Sequence, residues 1–145
     1  MNTLHHAVLV LLAVVAVTPA HAEMKIPVNS DKEGWRQLTD QFAECSAVYN
    51  VAATLRESPE KVGTTYRELA NNALVAGSYS AQHVGLSDSD LEAIYTQKFE
   101  QWQKTAAQDK AQAGKLLGKA EQCVKDTLAT QNQLITILRE PASPK

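Results

Sequence analysis

From Trp35 onward the apolar positions recur at helical spacing. Trp35, Leu38, Phe42, Cys45, Tyr49 and Ala52 follow one another at intervals of 3, 4, 3, 4 and 3 residues, which sets them on one stripe of a helix and predicts a buried face. Ser30-Asp31-Lys32-Glu33 has the form of a capping box and predicts where this first helix begins. Ser58-Pro59-Glu60 is expected to end it and open a second helix, with Ser58 as cap and Pro59 at the first helical position, where its missing N–H is not needed. Val62, Tyr66, Leu69, Ala73, Ala76, Ser80 and His83 carry the second stripe to Gly85, a helix-ending residue. Ser87, with Asp90 three residues on, predicts the third start, and Leu91, Ile94, Tyr95, Lys98 or Phe99, and Trp102 its inner face.

Nothing interrupts the pattern outright from there to Glu140. A single helix of that length would reach about 80 Å and leave most of its stripe without a partner. Asp109-Lys110-Ala111-Gln112 has the form of a new N-terminus. The fourth helix is therefore expected from Lys110 to Arg139, with Ala113, Leu116, Leu117, Ala120, Cys123, Thr127, Leu134 and Leu138 turned inward. Residues 141–145, Pro-Ala-Ser-Pro-Lys, read as a frayed, disordered tail. Four amphipathic helices on short connections predict an all-α fold, an antiparallel up-down-up-down four-helix bundle formed by residues 31–140 as one domain behind an extended leader at 23–30.

The leader follows an unbroken apolar run, Ala7 to Val17, too short to span a bilayer, and then Thr18-Pro19-Ala20-His21-Ala22. This predicts a signal peptide at 1–22, cleaved after Ala22, and a periplasmic or secreted mature chain with no membrane association after cleavage. Cleavage leaves 123 of the 145 residues, enough for one core. The signal carries no Asp, Glu, Lys or Arg, so the formal charge stays at -2. With no Lys/Arg cluster, nucleic acid is not expected as a partner.

Cleavage also removes three of the four histidines and leaves His83 alone. One histidine and two cysteines in an oxidising compartment are too few for a zinc site, a Ser/His/Asp triad or a Cys/His pair. A haem would have to use Met24 with His83. No cofactor, metal or catalytic residue is expected, and the chain is read as no enzyme. His83, near the end of helix two, suits the negative end of the helix dipole; a pH-sensing role is the alternative.

The bundle geometry assigns the cysteines. Cys45 lies about 14 residues above the start of helix one, near 21 Å, and Cys123 about 16 residues above the end of a descending helix four, near 24 Å. In the expected topology these helices are neighbours, so the sulfurs can meet. A Cys45–Cys123 disulfide between first and last helices is predicted.

A signal peptide, a first helix of the form Trp35…Cys45…Tyr49 and a last helix carrying Cys123 resemble the small, one-disulfide helical proteins exported by many proteobacteria, a resemblance that implies no activity. The Pro27-Val28-Asn29-Ser30 leader before a cysteine-bearing helix is similar to that of periplasmic acid-stress chaperones of the HdeA type, although the mature chain is longer and its cysteine lies deeper in the helix.

Helix two is distinctive because Leu69 to Ser87 carries no formal charge. Gly63, Ala70 and Gly77 fall seven apart and would admit a close helix. The run fits a tightly packed interior helix, and it also fits a surface for a protein partner, since interface cores are depleted in charge. Opposite the inner stripe, Asn72, Val75, Tyr79 and Gln82, again spaced 3, 4 and 3, are expected to face outward as the partner-binding stripe or a homodimer contact. The function expected is a non-enzymatic protein-binding factor (inhibitor, immunity-like or accessory). An acid-stress chaperone and a carrier of a small apolar ligand between helices are the alternatives.

Overall fold

A computed structural model describes residues 24–140; the predicted signal peptide and the tail at 141–145 lie outside the described residues. Four helices follow in order: α1 Lys32–Ala52, α2 Tyr66–Gln82, α3 Asp88–Ala106 and α4 Lys110–Arg139. Strands are absent among the described residues.

Local capping chemistry sets most boundaries. Asp31, rather than Ser30, caps α1: its carboxylate accepts from the Gly34 N–H at 2.8 Å, and Glu33 turns instead to Arg36 and Gln37. Ser87 and Asp90 form the reciprocal box that opens α3, and Asp109 accepts from the Gln112 N–H at 2.9 Å to open α4. Gly85, at φ 74, ends the turn after α2, where the Leu86 N–H returns to the Ala81 carbonyl at 3.0 Å.

The start of α2 differs from the expectation at Ser58-Pro59. Lys61 at φ 67 and Gly63 at φ 70 are left-handed, so no helix runs through them, and Val62 stands ahead of the helix. Thr65 supplies the cap: Glu68 accepts from the Thr64 hydroxyl at 2.6 Å and the Thr65 N–H at 2.7 Å, while Thr65 Oγ1 accepts from the Glu68 N–H. These bonds favour the carboxylate and hold the Glu68 pKa down from 4.5 to about 2, the Thr64 hydroxyl contributing most. A depressed carboxylate stabilises the fold above its unfolded value and loses that contribution as pH falls through the folded one. Glu68→Ala is therefore expected to melt below the parent at pH 7, with the gap closing between pH 4.5 and 2; a gap independent of pH in thermal melts would show that the carboxylate charge is not what caps α2.

α1 is the hub. It packs most extensively on α2, next on α3 and then on α4, whereas α2 and α3 touch little. Its buried set covers far more than one stripe, with Phe42, Ala43 and the whole run Cys45 to Tyr49 enclosed, as a helix covered on several sides requires. α1 and α2 are antiparallel: Trp35 meets Tyr79 and His83 at one end, and Tyr49 stacks with Tyr66 at 6.0 Å at the other. Small residues line this seam. Ser46 Oγ donates to the Ala70 carbonyl at 2.9 Å, Thr39 and Ser80 share a hydroxyl contact at 2.8 Å, and Gly77 lies against Phe42.

The Cys45–Cys123 disulfide joins α1 to α4 with Cα atoms 5.6 Å apart, both sulfurs in the core. The leader is strapped over α4 and α1. The Met24 N–H donates to the Asp126 carbonyl, Thr130 Oγ1 donates to the Met24 carbonyl, and Trp35 Nε1 donates to the Val28 carbonyl at 3.0 Å. At the far end of α4, Leu138 is 47% exposed rather than inward, because this helix of 30 residues outruns its partners, α1 having 21.

Candidate functional site

The inner face of α2 explains much of its missing charge. Tyr66, Leu69, Ala70, Ala73, Ala76, Gly77, Ser80 and Ala81 are buried, mostly against α1, where an ionic side chain would lose its hydration without a partner. Ala70 and Gly77 serve this close approach, and Gly63 lies in the loop before the helix.

The four residues expected to face outward do not form one free stripe. Val75 is 47% exposed and Gln82 is exposed, but Asn72 is half-buried. Tyr79 is corrected further: its ring stands edge-on to Trp35, centroids 6.0 Å apart at 70°, and 4.8 Å from His83. The start of α1 and the end of α2 bring this aromatic group together, and Tyr79, half-buried, packs against the core rather than standing free. His83 itself stacks on Trp35 at 3.8 Å and 14°. Its Nδ1 lies 3.0 Å from the Tyr79 carbonyl, and the Lys32 ammonium donates to the His83 carbonyl. The histidine thus lies over Trp35 at this end of the bundle.

Val75 opens onto a feature that periodicity missed. Leu74, Val75 and Ser78 of α2, with Asp88, Leu91, Glu92 and Tyr95 of α3, line a shallow groove whose walls are mainly apolar. Leu91, 4% exposed, forms its floor, and the Tyr95 hydroxyl is anchored by the Asn50 amide at 2.9 Å. Ser78 Oγ donates to Asp88 at 2.7 Å across the groove's end. The signal for it was divided between two helices that hardly touch, so neither sequence segment displays it alone.

Polar groups help fix α3 to α1, beside Phe99, Trp102 and Ala106, which pack on the core. Lys98 Nζ reaches Asp40 at 3.0 Å and Glu44 at 3.4 Å, and Trp102 Nε1 donates to Glu44 at 2.8 Å. Burial opposes the Lys98 charge, but the two carboxylates outweigh it and raise its pKa. Leu91 is the one buried residue of α3.

The core holds further polar groups. Gln131, 1% exposed, has neither amide atom hydrogen-bonded to a protein group, and the Tyr49 and Tyr66 hydroxyls are likewise unpartnered. Burial raises the pKa of both tyrosines. Gln131 follows Thr127 by four residues and precedes Leu134 by three, so spacing places it on the α4 stripe and only its polarity hid it.

Both cysteines are in the disulfide. Among the described residues, no group of three or more His, Cys, Asp or Glu side chains is arranged to hold a metal ion. Neither a family model, nor a curated protein, nor a solved structure matches this chain.

Proposed function

We propose that the chain is a non-enzymatic binding protein of the periplasm or the secreted fraction, released by cleavage after Ala22 and acting as an inhibitor, immunity-like or accessory factor on a protein partner. The observation that carries this reading is Val75 with Leu74 in an apolar groove that no helix of the described chain fills. Apolar surface at the centre of a charge-depleted stretch is the character of an interface core. The disulfide is compatible with an oxidising compartment, and no helix among the described residues is long and apolar enough to cross a membrane.

The test is capture at neutral pH from periplasm and culture medium, with the parent and Val75→Glu as parallel baits. The parent is expected to retain a stoichiometric partner, and Val75→Glu to weaken it by about 2 kcal/mol, a hot-spot-sized effect, with helix content unchanged. Tyr79 is left intact because its ring packs on Trp35. Equal capture by both baits would remove the α2 face from the account.

A second reading, an acid-stress chaperone, is favoured by the polar attachment of α3. Lys98 has both of its ionic partners, Asp40 and Glu44, on α1, and loss of this attachment would loosen α3 and bare the apolar surface around Leu91. Suppression of client aggregation confined to low pH would select this reading over the first.

A further inference from the structure

We propose that the groove between α2 and α3 takes a cationic amphipathic segment of a partner protein; this deepens the protein-binding reading and rests on it. The floor and walls, Leu74, Val75, Leu91 and the Tyr95 ring, ask for an apolar face. The charge around them has one sign. Asp88 and Glu92 are the ionisable carboxylates of the lining, and the adjoining outer face of α3 adds Glu100.

Among the described residues none of these three carboxylates is in an ion pair. The nearby cations point elsewhere or lie off the groove. Lys98 is engaged with Asp40 and Glu44 on α1, and Arg67 precedes Leu74 by two helical turns, about 10 Å along α2. Asp90 is occupied in the α3 cap, where it accepts from the Ser87 hydroxyl and N–H. An occupant with apolar side chains on one face and Lys or Arg on its flank would bury the first against Val75 and set the second beside Asp88 and Glu92. An acidic segment would meet Glu92 and Asp88, neither of them in an ion pair although Asp88 accepts from the Ser78 hydroxyl, so the rim selects by repulsion as well as attraction.

The experiment uses the oxidised mature chain and three labelled synthetic helical peptides: one with a leucine face and lysine flanks, one with glutamate in place of lysine, and one scrambled. Fluorescence anisotropy is expected to give binding of the lysine peptide about ten-fold or more tighter than the glutamate peptide, weakening as salt rises. Glu92→Lys, at an exposed position, should weaken the lysine peptide roughly five-fold, and Val75→Glu should also weaken it, since it removes the apolar contact. Equal affinity for lysine and glutamate peptides, or no effect of Glu92→Lys, would overturn the proposal. Binding of the lysine peptide undiminished in Val75→Glu would do the same, by placing it elsewhere on the chain.

If a captured partner still depends on Val75 while the peptides show no preference for lysine, the cationic inference fails and the protein-binding reading stands. If the peptides behave as expected but no partner is captured, the groove's preference for a cationic amphipathic helix stands as a property of the chain, while the protein-binding reading fails and takes the partner half of the proposal with it. Dimerisation of the parent without peptide, abolished by Val75→Glu, would assign the groove to a second copy and overturn the proposal.

Discussion

Reduction of the Cys45–Cys123 disulfide is expected to lower the melting temperature by roughly 15 °C while leaving most of the helix signal at room temperature. The bond closes a loop of 78 residues, and in the chain-entropy treatment a loop of that size restricts the unfolded state by about 4.5 kcal/mol. Its position adds to the consequence. It ties the hub helix α1 to α4, which otherwise meets α1 far less extensively than α2 does. The paired measurements are thiol titration of freshly exported protein and thermal melts with and without reductant, with Cys45→Ala/Cys123→Ala as the reductant-free control. Two reactive thiols would contradict the bond in the exported protein, and coincident melts would contradict its contribution to stability.

Phe42→Ala is expected to cost about 3–5 kcal/mol, as loss of a fully enclosed aromatic side chain does when its surroundings relax only in part. Phe42 is fully buried on α1. A Cβ built on Gly77 would stand 3.3 Å from the Phe42 Cβ and 3.7 Å from the Leu91 methyls, so α1, the α2 backbone and α3 converge at this point. Truncation should therefore loosen the floor of the α2–α3 groove as well as the core. Chemical denaturation of the two proteins reads the difference, and a loss below about 1 kcal/mol would mean that the junction does not depend on the ring.

Features set by neighbouring residues were legible in the sequence. The boxes at Ser87-Asp90 and Asp109-Gln112 and the helix-ending Gly85 need only a few residues to act. The disulfide was legible because helical rise converts sequence distance into height. The start of α2 was not, since Ser58-Pro59 and Thr65-Glu68 are both competent caps and the choice depends on a chain reversal through Lys61, a non-glycine residue in a left-handed conformation. Reading α1 as one stripe concealed its central place, although Phe42 to Ala53 carries a single charge, Glu44. Gln131 went unread in the core because polarity outweighed spacing. Tyr79 and Leu138 show the reverse limit. Their exposure was settled by which partner lies beside them and where that partner ends, and a single helix does not encode either.

The central claim is that the chain acts by binding protein through the α2–α3 groove. Hydrogen exchange of the oxidised mature chain, alone and with its captured partner, tests it most directly by reading every segment at once. The account predicts added protection in Leu74–Gln82 and Asp88–Tyr95, with α4 around its exposed Gly114 and Gly118 unchanged. Protection gained on α4 or on the leader, with none at the groove, would contradict it.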